Sequence, residues 1–471
     1  MCGFLISDKT YDTKANSFKY LNSRGPDSLN HLNKSNINFY HTLLSLTGEF
    51  TNQPIVDDSV IVTFNGEIYN YKDFGDLPSD GYAILEAYKI HGEDFINYLD
   101  GEFSIVIYDD TNKKIVFATD IFATKPFYYT LEGESFSFSS YKETIQDLGF
   151  KEVKKLHANS LGIFDLNSKK LTIKNPYFKF DLNQHKNSFK DWESAFLKSI
   201  EKRFKNIDSE IVLPLSSGMD SGSIACAFNK LGIKSTIFSF YGNEHKIILL
   251  RRLIIEMKRK NKIYIKRYLT QRTTKRLVED MYKRIPHFKY GVSQNEKDLV
   301  VDGFNDRGSK GLMYLLDKVK SNNKNIKILA SGQGGDEVYS NLQNYSFGNI
   351  QNPKIFGDNI SDIFPWENFY ESSQASYLIR NESISGGFGI EGRYPLLDKQ
   401  VVQEYLWLKP ELKNDSFKSP LSYFLINNNY PIKTGDPEEI NRGFNVINTS
   451  RTNKFIGLFK LNLKKLIVNK K

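Results

Sequence analysis

Ile211-Val212-Leu213-Pro214-Leu215-Ser216-Ser217-Gly218-Met219-Asp220-Ser221 runs a short apolar stretch into a string of small residues. A helical pattern follows over residues 222–231. A buried strand that ends in small residues and opens a helix makes a phosphate cradle. Backbone N–H groups and the helix N-terminus face the anion, and serine hydroxyls add donors. No Gly-Lys-[Ser/Thr] of a Walker loop is present, so γ-phosphate transfer is not the chemistry this loop suggests. Asp220 in an anion-binding loop calls for a cation, and Mg²⁺ carried by ATP supplies one. An ordinary strand–turn–helix connection is the competing reading.

Outward from this stretch the chain alternates helix and strand. Residues 192–204 form an amphipathic pattern, 235–240 a strand, and 246–259 a basic helix. Ile326-Lys327-Ile328-Leu329-Ala330 then leads into Ser331-Gly332-Gln333-Gly334-Gly335-Asp336-Glu337. This order predicts a parallel sheet covered by helices on both faces, with ligands at the carboxyl ends of its strands. Beyond residue 353 the pattern is mostly helical. Residues 1–150 differ: short β-runs such as 60–64, 103–108 and 114–118 surround one clear helix at 82–90, which predicts stacked sheets with helices outside. The polar stretch 167–190 reads as the linker, giving domains at 1–180 and 190–471.

With 471 residues, both domains can have full apolar cores. No apolar stretch is long enough to span a bilayer, and the N-terminus lacks the pattern of a signal peptide. Two cysteines, Cys2 and Cys226, exclude a disulfide framework and fit a reducing cytoplasm. Lys+Arg 64 against Asp+Glu 55 gives +9, but the cations are scattered and no compact basic motif with interleaved aromatics appears. The expected partners are small molecules rather than nucleic acid or membrane, and a homodimer is compatible with this.

A second chemistry sits at the start. Cys2 follows Met1, so removal of Met1 puts a thiol and a free α-amine on one residue, and the amine can take the thiol proton. Phe64-Asn65-Gly66-Glu67-Ile68-Tyr69-Asn70 ends an apolar strand. An Asn amide beside a Gly N–H offers two donors to one oxyanion. Taken alone, Asn-Gly also reads as a hairpin turn.

Met1-Cys2-Gly3, Arg24-Gly25-Pro26-Asp27, the Asn65–Asn70 segment, Leu99-Asp100-Gly101-Glu102-Phe103 and residues 120–129 resemble, in order, the class II glutamine amidotransferase domain, an N-terminal-nucleophile hydrolase. The resemblance implies an αββα sandwich in which Cys2 attacks a glutamine carboxamide. Asn65 and Gly66 form the oxyanion hole, and Glu67 and Asp80 help hold the glutamine amino end. Residues 216–221 and 331–337 resemble the two loops of the ATP-pyrophosphatase, or PP-loop, family, with Ser217 in place of a Gly. Glu391-Gly392-Arg393-Tyr394-Pro395-Leu396-Leu397-Asp398 resembles the C-terminal Glu-x-Arg-x-Pro-[Phe/Leu]-Leu-Asp of asparagine synthetases, although a structural turn with an internal ion pair explains it equally well. By this resemblance Leu215, Ser216, Ser217, Gly218, Asp220, Ser221, Ser331 and Gly332 lie around ATP, and Asp220 and Asp336 bind Mg²⁺. The carboxylate then becomes an acyl-adenylate, and ammonia from glutamine converts it to an amide.

The chain departs from the family at several positions. The Arg expected in His-x-Arg-Leu-Ser is Leu43 in His41-Thr42-Leu43-Leu44-Ser45, with Arg24 a candidate substitute cation. The Arg and Gly of Asp-Arg-x-Gly are Ile121 and Ala123. Gln333 stands where asparagine synthetases carry Glu and β-lactam-forming relatives Tyr, and a Gln has no ionisable proton. Glu337, Lys418 in Phe417-Lys418-Ser419-Pro420, and Arg442 in Asn441-Arg442-Gly443-Phe444 are further candidates for the synthetase site. Aspartate is the family's default acceptor. Amidation of another carboxylate in sugar or specialised-metabolite chemistry, an ammonia-dependent ligase with a weakened glutaminase, and a non-catalytic nucleotide-binding regulator are the alternatives.

Overall fold

The computed structural model describes residues 2–242, 244–294, 297–341 and 355–433. Three large sheets organise the chain. The first has the spatial order Lys154–Lys155, Tyr128–Glu132, Ser135–Ser139, Gly3–Ser7, Ile37–Leu43, Ser28–Lys34. The second runs Leu171–Lys174, Leu161–Asp165, Lys114–Thr119, Gly101–Asp109, Val60–Ile68, Ile55–Asp57. All pairings given within these two sheets are antiparallel.

Alternation explains how they stack. Phe4, Ile6 and Phe39 of the first sheet meet Ile61, Val106 and Phe117 of the second in one apolar layer. The opposite face of the first sheet, with Leu5 and Tyr40, packs on Phe18 and Leu21 of the helix Phe18–Arg24 and on Ile145 of Lys142–Asp147. The opposite face of the second, with Val62, Phe64 and Ile105, is covered by Ala83, Ile84 and Ala87 of Gly81–His91. The result is the expected αββα sandwich. Its two short flanking helices around the first sheet were illegible in the sequence, each being too brief to show a full apolar period.

The third sheet is parallel throughout, in the order Ile263–Lys266, Thr236–Phe240, Glu210–Pro214, Ile326–Ala330, Glu391–Arg393. Val212, Phe238 and Leu329 face one apolar cluster and Ile211, Ile237 and Ile328 face another, so helices cover both sides. The described residues beyond 353 are mostly helical, as expected, with one short strand among them. Glu391-Gly392-Arg393 is a β-strand whose polar side chains hid its place in the sheet. Ile121 and Phe122, from the sandwich, join the same apolar cluster as Trp192, Leu397 and Val401, so the two halves share a core.

Candidate active sites

Asn65 and Gly66 lie inside the nine-residue strand Val60–Ile68, paired with Ser104 and Phe103, so the hairpin-turn reading is wrong. Gly66 has φ +137, and a Cβ there would stand 1.9 Å from the Glu102 carbonyl oxygen; the position admits no larger residue. Asn65 Oδ1 accepts from the Cys2 backbone N–H at 2.8 Å. Its Nδ2 is buried with no hydrogen-bond partner among the described residues. The amide therefore holds the Cys2 nitrogen with one end and has two N–H donors at the other, the arrangement an oxyanion would need. The Cys2 thiol lies 4.0 Å from the Leu44 carbonyl oxygen, and burial pushes it up to about 11. Left alone it is a thiol, and it needs a base at its own nitrogen to become a nucleophile. His41 cannot serve: its Nε2 contacts the Phe64 carbonyl at 3.2 Å and burial drives it down to about 3.

Glu67 and Asp80 form a buried acidic pair. Burial raises both; repulsion from Glu67 adds to the rise at Asp80, and Arg393 opposes the rise at Glu67. Asp80 accepts from the Ile68 N–H at 2.9 Å. Glu67 accepts from the Thr47 hydroxyl and lies 3.2 Å from Arg393 Nη2. Such a pair favours a cationic neighbour, and an α-ammonium group supplies one. Leu43 is buried at the end of its strand. Arg24 does not replace the missing guanidinium, because its nitrogens are committed to the Cys2 carbonyl and to Glu382.

At the parallel sheet, the strand Glu210–Pro214 delivers Leu215, fully buried, into the small-residue loop. Ser221 Oγ accepts from the Ser216 N–H at 3.0 Å and meets Ser216 Oγ at 2.8 Å. Gly218 caps the helix Met219–Leu231, placing Asp220 in its first turn. The second loop comes from the next strand, where Ser331 N–H donates to the Arg393 carbonyl at 3.0 Å. A Cβ on Gly332 or Gly335 would stand 2.8 Å or 2.2 Å from Asp220. These glycines let the two loops interlock and bring Asp220 to Asp336. Both carboxylates meet Lys418 Nζ: 2.6 and 2.8 Å to Asp220, 2.7 Å to Asp336. Burial, added to by Asp336 and opposed by Lys418, raises Asp220 to about 6, while the two carboxylates outweigh burial and push Lys418 up.

Gln333 N–H donates to Ser331 Oγ at 3.3 Å. Glu337 caps its own helix, accepting from the Gly334 N–H at 3.1 Å, and burial raises it to about 8. Arg442 lies outside the described residues.

Sequence reasoning missed Glu244 and Arg252. Glu244 accepts from the Ser217 N–H at 2.6 Å and from its hydroxyl. Arg252 Nη1 donates to the Ser216 and Gly218 carbonyls at 2.7 Å each, in space left open by Gly222. The signal was present: Arg252 and Glu256 share the buried face of Lys246–Lys258 with Leu249 and Leu253, and charges at core positions of a helix demand partners.

The two sites meet across a seam of buried ion pairs. Arg203 contacts Glu102 at 2.8 Å and Asp398 at 2.6 Å. Lys125 contacts Glu382 at 3.3 Å and the Gly392 carbonyl at 2.6 Å. The Glu391–Arg393 pair, 2.8 Å apart, is the internal pair expected of a structural turn, but Arg393 also reaches Glu67 across the seam.

Residues 1–165 match the glutamine amidotransferase domain family. A Methanocaldococcus jannaschii protein named provisionally as asparagine synthetase (glutamine-hydrolysing) 1 is 25% identical over 80% of this chain and 70% of its own length. The asparagine synthetase of Asparagus officinalis is 24% identical over 88% of this chain and 70% of its own. Asparagine synthetase 2 of Oryza sativa is 24% identical over 76% of this chain and spans 59% of its own length. Among solved structures, the B. subtilis glutamine phosphoribosylpyrophosphate amidotransferase covers 56% of this chain and 80% of its own at 10% identity and a TM-score of 0.31. That likeness is too loose to add to the fold read from the sheets. The chain carries a glutamine amidotransferase domain at residues 1–165 and is related over most of its length to the glutamine-hydrolysing asparagine synthetases.

Proposed function

We propose that this protein is a glutamine-hydrolysing carbon–nitrogen ligase. It activates a carboxylate with ATP and amidates it, with domains at 1–180 and 190–471, in a reducing cytoplasm that suits its two free cysteines. No helix among the described residues is long and apolar enough to cross a membrane. The observation that carries the reading is the meeting of Asp220 and Asp336, from separate strand-end loops, on one cation.

The residues fit Mg²⁺·ATP. Mg²⁺ is commonly bound by one or two carboxylates with phosphate oxygens and water completing its shell, and no cluster of three or more His, Cys, Asp or Glu competes for it among the described residues. Asp220 and Asp336 would hold the ion, which would neutralise charge on the pyrophosphate leaving group. The serine loop and the helix after Gly218 would hold the phosphates. Attack of the acceptor carboxylate on the α-phosphorus gives an acyl-adenylate and releases pyrophosphate. At the other site, with Met1 removed, the Cys2 amine takes the thiol proton. Sulfur attacks the glutamine carboxamide, and Asn65 Nδ2 with the Gly66 N–H receives the oxyanion. Ammonia leaves and water clears the thioester. Ammonia then displaces AMP to give the amide. Aspartate is the default acceptor, and Gln333 is the feature that favours another carboxylate.

A second reading, a ligase driven chiefly by free ammonia, is favoured by Leu43 together with the commitment of Arg24 to Glu382. Pyrophosphate release across a panel of carboxylates, with glutamine or ammonium chloride as nitrogen source, tests both. Cys2→Ala abolishes glutamine-supported turnover and spares ammonia-supported turnover. Equal loss with both donors refutes both readings, and release with no carboxylate in the panel supports the non-catalytic regulator.

A further inference from the structure

Two neighbouring residues of the helix Ser373–Gly386 hold two different sites. Asn381 Nδ2 donates to Ser331 Oγ at 3.2 Å, on the second loop at the parallel sheet. Glu382 Oε2 accepts from Arg24 Nη2 at 2.8 Å, and the Glu382 carbonyl accepts from Arg24 Nη1 at 3.1 Å. Arg24 Nε in turn donates to the Cys2 carbonyl at 3.0 Å. The other carboxylate oxygen of Glu382 accepts from Lys125 Nζ at 3.3 Å and from the Tyr394 hydroxyl at 2.9 Å. A Cβ on Gly392 would stand 2.9 Å from that oxygen, so the glycine leaves room for it. Arg24, Asn381 and Glu382 are all buried.

The guanidinium of Arg24 is thus fixed at all three nitrogens, two of them by one residue of the other half of the chain. What it fixes is the carbonyl of the residue that carries both the thiol and, after Met1 removal, the amine. Moving that carbonyl moves both reacting groups relative to Asn65, and a displacement of about 1 Å in such a constellation can cost ~10²-fold in rate. The same helical turn is tied through Asn381 to Ser331, a serine of the loop that carries Asp336.

We infer that Glu382 is a positioning residue for the Cys2 nucleophile, and that the Asn381–Glu382 step of this helix links occupancy of the nucleotide loop to the reactivity of Cys2. The inference rests on the proposed reading in taking Cys2 as the nucleophile and the Ser331 loop as a nucleotide loop. The helix carries a displacement of the loop to the carboxylate that orients Arg24.

The test uses the full chain with Met1 removal verified by mass spectrometry. Glu382→Gln keeps an acceptor oxygen and drops the charge, Glu382→Asp keeps the charge on a shorter arm, and Asn381→Ala cuts the tie to the loop. Two quantities are read with and without a non-hydrolysable ATP analogue and Mg²⁺. One is the kcat and KM of glutamine hydrolysis. The other is the rate of Cys2 alkylation by iodoacetamide, located by mass spectrometry against Cys226. Glu382→Gln lowers kcat at least tenfold with KM within twofold and shifts the alkylation rate, and Glu382→Asp restores at least half of the loss. In Asn381→Ala the ratio of rates with and without the analogue falls to one. A Glu382→Gln enzyme with wild-type kcat and alkylation rate overturns the inference. So does an Asn381→Ala enzyme that responds to the analogue as wild type does. If Glu382→Gln does not fold, the Asp variant carries the test by the same readouts. A wild-type chain that hydrolyses no glutamine overturns the ligase reading instead, and the alkylation comparison then still decides the positioning role.

Discussion

Lys418 sits between the two carboxylates that would hold Mg²⁺ with ATP, so removing its charge should make the stability of the nucleotide-free protein depend on metal. Its ammonium is almost fully buried, while the Asp220 and Asp336 side chains are 22% and 31% exposed. Lys418 also holds a left-handed backbone, φ +48, a sparsely populated region for a residue other than glycine. Breaking a buried pair by deleting one partner costs about 3–5 kcal/mol, and the partial exposure of the aspartates puts Lys418→Met at the lower end, about 3 kcal/mol. The vacated seat then faces two carboxylates that have lost the ammonium between them, a ready site for Mg²⁺. At a Mg²⁺ concentration one hundred times its dissociation constant, binding restores about 2.7 kcal/mol, nearly the whole loss. The assay is urea titration with and without Mg²⁺, in the absence of nucleotide. Tryptophan fluorescence reports it, because the three tryptophans, Trp192, Trp366 and Trp407, all lie in the half that carries the parallel sheet. Wild type should gain little from Mg²⁺ alone and Lys418→Met should gain most of what it lost. Equal gains in both proteins, or a variant as stable as wild type in EDTA, refute the assignment of Lys418 as the resident cation.

Three further outcomes follow from the geometry. Leu43→Arg restores a guanidinium at the end of its strand, and a charge-assisted pair with the glutamine carboxylate, worth ~1.5–3 kcal/mol, lowers the glutaminase KM by about 10- to 100-fold; an unchanged KM shows that the slot does not face the substrate. Burial raises Glu244 to about 7, so its contribution to stability is fully present below the ordinary carboxylate range and is lost as pH rises through about 7. Glu244→Gln, fixed in the uncharged form, flattens the fall in unfolding free energy from urea titration between pH 5 and 8 by an amount on the order of 3 kcal/mol. Ala123 has φ +49 where the family carries a glycine, so Ala123→Gly relieves about 1 kcal/mol of backbone strain, read as a higher melting temperature.

The legible parts of this protein are those in which local chemistry and local periodicity coincide. The loop 216–221 announced itself because an apolar strand, small residues and a helix follow each other without a gap; Asp220 among anion-binding groups called for a cation, read as Mg²⁺ carried by ATP, and the folded chain places Lys418 beside it. Asn65-Gly66 was legible as chemistry and ambiguous as structure, since its sequence fits a turn as well as the distorted interior of a strand. The strand Glu391–Arg393 was not legible, because its side chains serve the seam between the halves rather than an apolar layer. The phosphate-loop partners Glu244 and Arg252 come from a separate helix and its entry, and nothing near residues 216–221 points to them. The commitment of Arg24 was likewise invisible. Its partner lies more than three hundred residues away, and only the folded chain shows that the guanidinium is used up before any substrate arrives.

The seam itself carries the strongest argument about design. Arg24, Lys125, Arg203 and Arg393 meet Glu67, Glu102, Glu382 and Asp398 in pairs that mostly cross from one half to the other. Apolar residues of the same volume would hold such a surface together at least as firmly, because desolvating these ions offsets most of their attraction. Stability therefore does not account for the pairs. Their geometry does: an apolar contact tolerates sliding by an ångström, whereas a charge-assisted contact of 2.8 Å does not. Two of the contacts end on groups of the amidotransferase site, the Cys2 carbonyl through Arg24 and Glu67 through Arg393. On the proposed reading the charges set where the Cys2 site stands relative to the nucleotide loops, and that is a task for which a merely adhesive interface has no means.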